Sequence, residues 1–170
     1  TKNYSSIASR AGASGTLQDY LERDAVVGIC DLDTRALVRY IRQSGAMNAI
    51  ICSDGTDESE LMRLLEAVPS MEGLELSSAV TTSSVYDALP IEGVESKLHV
   101  ALLDLGVKRS IVRCLTERGC AVRVFPMHTS AEEILSWSPD GIMLSNGPGD
   151  PGAMLETVET VKALVNSDKP

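Results

Sequence analysis

The chain has 170 residues, of which 44% are hydrophobic but only 4% aromatic, so any core must be packed from Leu, Val, Ile, Ala and Met. Its 24 acidic against 15 basic residues give a net charge of −9, a balance that disfavours the phosphate backbone of nucleic acid and suits a basic partner surface. No apolar run approaches the roughly 20 residues needed to cross a bilayer, and the opening TKNYSSIASR has no signal-peptide core, so no membrane and a cytoplasmic location are expected.

The length suits one domain, or one small domain with part of another. Cys30, Cys52, Cys114 and Cys120 are scattered, with no C-x-x-C pair and only His99 and His128 to assist them. Zinc sites and disulfide frameworks use tighter spacing or a secretory context, so ordinary thiols and no metal are expected. The chain opens without Met and closes on the polar NSDKP after a helical pattern, so an internal piece of a longer protein is expected.

Taken in chain order, Thr16 caps a short helix through TLQDYLER, and the apolar AVVGIC, 25–30, reads as a strand. DTRALVRYIRQSG sets Leu37, Val38 and Ile41 on one helical face, with Gly45 as the stop. AIIC, 49–52, reads as a second strand, and Thr56 or Asp57 opens a helix with Leu61, Leu64, Leu65 and Val68. This α+β part is assigned to residues 1–80. Arg35, Arg39 and Arg42 share one side of the second helix. That stripe is either a docking face or, in the favoured reading, a solvated face with local carboxylate partners.

Residues 81–97, TTSSVYDALPIEGVESK, are polar and aperiodic and read as a linker. From 98 to 170 strand and helix alternate: LHVALLDLG, then KRSIVRCLTERG, AVRVF, the capping box of Ser130 and Glu133 opening SAEEILSW, GIMLSN, and a helix from Met154 to Val165. Such alternation predicts right-handed crossovers into a parallel sheet.

Ligands of an open parallel sheet gather beyond the carboxyl ends of its strands, and LSNGPGDP, Leu144 to Pro151, lies at such an end. Asn146 and Gly147 adopt positive φ cheaply, Pro148 offers no N–H, and the free donors are the amides of Gly147 and Gly149. Asp150–Pro151 has the pattern of an N-cap and first helical position. Three readings stand: a phosphate loop, which lacks the Lys and Ser/Thr it would want; a plain turn; and a preorganised oxyanion loop. Asp104 and Lys108, at the end of the first strand of this part, form a possible functional pair, with helix capping by Asp104 favoured.

LSNGPGDP, DLGVKRSIVRCLTERGC and DLDTRALVRYIRQSGAMNAII together resemble the glutamine-hydrolysing small subunits of carbamoyl-phosphate synthetases over nearly the whole chain. NGPGDP alone would indicate only class I glutamine amidotransferases, including those of GMP and anthranilate synthesis; the DLDTR segment narrows it. The resemblance implies the first part of a parallel-sheet class I amidotransferase domain, preceded by the end of a smaller α+β domain. It also implies that a cysteine in a G-x-C-x-G elbow, assisted by His and Glu, attacks the carboxamide of glutamine. Ammonia then passes to a large subunit, which uses ATP and Mg²⁺ to make carbamoyl phosphate from bicarbonate for arginine or pyrimidine synthesis; this chain itself is expected to hold no cofactor.

On the resemblance, Gly147 supplies the oxyanion donor, and Gly147 and Gly149 contact glutamine. Gly28-Ile29-Cys30 begins like an elbow, but Leu32 stands where the closing Gly belongs, so Cys30 is not read as the nucleophile. His99 and His128 do not match the family's base. The elbow strand is expected just after Pro170, and the chain alone is expected to be inactive. The alternatives are another class I amidotransferase or a non-catalytic docking module.

Overall fold

The computed structural model describes residues 1–170, which form two compact units, Thr1–Met71 and Glu72–Pro170. The first holds three helices: α1 (Leu17–Arg23), α2 (Thr34–Ser44) and α3 (Glu58–Glu66). Each starts where a short polar side chain satisfies an otherwise orphaned N–H. Thr16 and Asp19 close a reciprocal capping box on α1. Asp33 accepts from Arg35 N and Ala36 N on α2, and Asp57 accepts from Ser59 N on α3. Gly45, at φ 84°, ends α2.

The strands expected at 25–30 and 49–52 carry no ladder. The apolar runs are there, but a strand exists only through a partner. The first run bonds back to α1 at its start, where Ala25 N donates to Glu22 O at 3.2 Å and Val26 N to Leu21 O at 2.8 Å. At its end the Thr1 amino group donates to Ile29 O at 2.7 Å, with Asp31 N donating to Lys2 O at 3.1 Å just beyond. No residue of this unit is buried, and Leu37, Val38 and Ile41 of α2 remain 41%, 49% and 39% exposed.

The second unit is an α/β layer structure around a four-stranded, mostly parallel sheet. Its strands are β1 (Tyr86–Ala88), β2 (Leu98–Asp104), β3 (Cys120–Pro126) and β4 (Gly141–Leu144), in the spatial order β1-β3-β2-β4. β2 runs parallel to both β3 and β4, and β1 runs antiparallel to β3. The helices are α4 (Arg109–Thr116), α5 (Ala131–Ser136) and α6 (Leu155–Val165).

Alternate residues of the strands feed opposite faces, the two-residue period of a strand. Ala101, Leu103 and Phe125 pack with Ile134 of α5 and Leu164 of α6. Leu102, Val122 and Val124 pack on the other face with Val112 and Leu115 of α4. Burial on both faces is why β2 and β3 read as nearly continuous apolar runs. No helix is long and apolar enough to cross a membrane.

The boundary found in the structure lies at Met71/Glu72, ahead of the seam read at 81–97. That polar run contains β1, whose Asp87 makes a two-pronged ion pair with Arg123 of β3 at 2.7 and 2.8 Å. Three residues of edge strand are too short to show an alternation in the sequence.

Candidate functional site

The parallel register brings the carboxyl ends of β2, β3 and β4 to one end of the sheet: Asp104 opposite Pro126, and Leu103 opposite Leu144. Beyond β4 the chain leaves as Ser145-Asn146-Gly147-Pro148-Gly149-Asp150. Ser145 is buried and ties this exit to the neighbouring strand. Its N–H donates to Leu103 O at 3.1 Å, and its hydroxyl accepts from Leu105 N and donates to Asn146 O, both at 2.8 Å.

The two glycines are required for different reasons. Gly149 has φ 90°, a conformation that suits glycine, and a Cβ there would lie 2.9 Å from Leu76 N. Gly147 and Asn146, read as residues that adopt positive φ cheaply, are not among the positive-φ residues. The constraint at Gly147 is space: a Cβ would collide with the Leu105 carbonyl oxygen and lie 2.7 Å from Ser77 Oγ. The exposed surface of the loop at Gly147 is therefore main chain pressed close against its support.

Asp150 anchors the far side of the loop. One carboxylate oxygen accepts from Gly152 N at 2.8 Å, capping the 3₁₀ turn Pro151–Ala153, and the other accepts from Gly73 N at 2.8 Å. These two donors, Gly73 first, hold its carboxyl below the ordinary value of 3.8. Asp150 N donates in turn to Leu74 O at 2.9 Å, and Gly149 forms an antiparallel bridge with Glu75. The partners at 73–77 lie in a stretch whose sequence carries no periodic signal that would place them here.

Asp104 is 4% exposed and caps, as favoured from sequence, but it caps the turn before α4 and not the helix itself. One oxygen accepts from Gly106 N at 2.9 Å and Val107 N at 2.7 Å; the other accepts from Thr82 N at 2.7 Å. The N-cap of α4 is Lys108, which makes no side-chain capping bond, is exposed and forms no ion pair with Asp104. His128 follows β3 and is exposed, with Nδ1 3.8 Å from Glu156. His99 lies near the opposite end of the sheet, beside Asp140 at 3.4 Å and edge-on to Trp137.

Cys120 is buried in the sheet, while Cys30 and Cys114 are exposed and Cys52 is half-buried. None of these thiols is paired. On α2, Arg35, Arg39 and Arg42 line one shallow cleft together with Thr34 and Val38. The carboxylate partners expected beside them are absent, since the ion pairs formed by the first unit are Arg23–Asp24 and Arg63–Glu60.

A mostly parallel sheet covered on both faces, with a tightly supported N-G-P-G loop at its carboxyl end, fits the first part of a class I amidotransferase domain. The family model described as glutamine amidotransferase class-I matches residues 101–170. The model described as carbamoyl-phosphate synthase small chain, CPSase domain, matches residues 1–51. The carbamoyl phosphate synthase small chain of a Nostoc species is 48% identical over 167 residues, 91% of this chain and 43% of the relative. Those of a Synechocystis species and Thermosynechococcus vestitus are 44% and 42% identical, covering 91% and 99% of this chain and 44% and 47% of the relatives. The chain belongs to the carbamoyl phosphate synthase small chain family, and it spans less than half the length of these curated relatives.

Proposed function

We propose that the longer protein to which this sequence corresponds is the glutamine-hydrolysing subunit of a cytoplasmic carbamoyl-phosphate synthase. It releases ammonia from glutamine and delivers it to a large synthetase subunit, where ATP and Mg²⁺ drive carbamoyl phosphate formation from bicarbonate. The observation that carries the reading is the loop Gly147-Pro148-Gly149, held beyond the end of β4 with no room for a side chain at Gly147.

The chemistry asks for such a loop. Attack of a thiolate on the carboxamide carbon turns the carbonyl oxygen into an oxyanion, and a backbone N–H fixed beforehand stabilises that charge without reorganising. Gly147 N–H is assigned to the oxyanion, and Gly147 and Gly149 to contact with glutamine. The 170 residues contain no G-x-C-x-G, so the nucleophile, its base and the supporting carboxylate are assigned to other parts of the longer protein. The chain by itself is expected to release no ammonia from glutamine.

The test uses the full-length small subunit assembled with its large subunit. Gly147→Val forces the loop off the Leu105 carbonyl and should lower glutamine-dependent synthesis by about 10² to 10³, the scale of one lost oxyanion donor. Synthesis from free ammonia should persist, because it bypasses glutamine. Normal glutamine-dependent turnover would reduce the loop to a turn, and equal loss of both activities would place the damage in folding or assembly.

A further inference from the structure

The segment Gly73–Thr82 precedes the first strand in sequence, yet its hydrogen bonds run across the carboxyl ends of all three parallel strands. At its start, Gly73 N donates to Asp150 and Leu74 O accepts from Asp150 N, on the loop after β4. At its end, Thr81 Oγ1 donates to Asp104 O of β2 at 2.6 Å and accepts from Met127 N, just beyond β3, at 3.0 Å. Thr82 N completes the clasp on the Asp104 carboxylate.

Ser77 stands in the middle of this strap. It is 0% exposed, and its hydroxyl donates to Pro148 O at 3.2 Å. In a trans peptide the carbonyl and the following N–H point to opposite sides of the chain. Holding Pro148 O against Ser77 therefore turns the Gly149 N–H away from the strap. The bridge between Glu75 and Gly149 acts in the same sense. With Asp150 N bonded to Leu74 O, Glu75 and Gly149 form the antiparallel pair whose own N–H groups face outward.

Resting on the reading of the loop as a glutamine contact, we propose that Ser77 is a positioning residue. Its hydroxyl fixes the Pro148–Gly149 peptide so that the Gly149 N–H is presented to the bound amino-acid substrate. Ser77 touches no reacting atom, and its effect falls on substrate binding and not on the chemical step.

The experiment compares Ser77→Ala with Thr116→Ala in the assembled full-length enzyme. Thr116 is another buried hydroxyl, bonded to Arg113 O within α4, and reports loss of stability alone. Ser77→Ala should raise the glutamine KM about three- to ten-fold, the effect of one neutral hydrogen bond, with kcat and ammonia-dependent synthesis close to wild type. Thr116→Ala should lower the melting temperature and leave the glutamine KM unchanged. An unaltered KM in Ser77→Ala, or an equal rise in Thr116→Ala, would overturn the positioning role while leaving the loop reading intact. A wild-type enzyme with no glutamine-dependent synthesis would overturn both.

Discussion

Asp150 shows how one side chain serves two elements. Its carboxylate caps the turn after the glycine loop and ties that loop to Gly73, 77 positions earlier. Because these donors favour the ionised form, the folded-state pKa lies below 3.8. Its contribution to stability is therefore complete above the unfolded pKa and is lost as pH falls through the lowered folded value. Thermal melts between about pH 5 and pH 2 should show a shallower acid limb for Asp150→Asn than for wild type, with the variant already less stable at neutral pH. Superimposable acid limbs would remove Asp150 from the pH dependence. The cap could be read from Asp-Pro in the sequence; the bond to Gly73 could not, since nothing local distinguishes Gly73 from any other turn glycine.

At the scale of elements, α2 combines two surfaces. Its apolar residues Leu37, Val38 and Ile41 remain substantially exposed, and Arg35, Arg39 and Arg42 line a shallow cleft without carboxylate partners. A positive stripe free of internal partners in a chain of net charge −9 is suited to an acidic surface on another protein. In the longer protein, reversing all three to Glu should weaken assembly with the proposed large subunit, on the order of tenfold or more, while circular dichroism stays unchanged. Sedimentation showing full assembly of a folded triple variant would assign the stripe to solvent.

For the whole molecule, the two units differ in what holds them. Residues 72–170 contain every buried side chain, whereas residues 1–71 contain none. Helix caps worth about 1 kcal/mol each do not stabilise short helices without packed faces. Hydrogen exchange on this 170-residue chain should accordingly show amides of β2 and β3 protected close to the global limit and amides of α1, α2 and α3 exchanging far faster. Comparable protection in both units would show that the first is stabilised by contacts other than burial.

The sequence by itself determined the second unit's alternation of strand and helix, its two apolar faces, the helix starts of the first unit and the existence of a special loop at Gly147–Gly149. These are local: capping, periodicity and glycine–proline chemistry act over a few neighbouring residues. Only the tertiary structure decided that 25–30 and 49–52 form no ladder, that Tyr86–Ala88 does, and that Gly147 is constrained by the Leu105 carbonyl and not by its φ. It likewise decided that Gly73–Thr82 clasps the strand ends through Ser77, Thr81 and Thr82. Each of these depends on a partner distant in sequence, and neither propensity nor periodicity encodes which distant segment will supply the missing hydrogen bond.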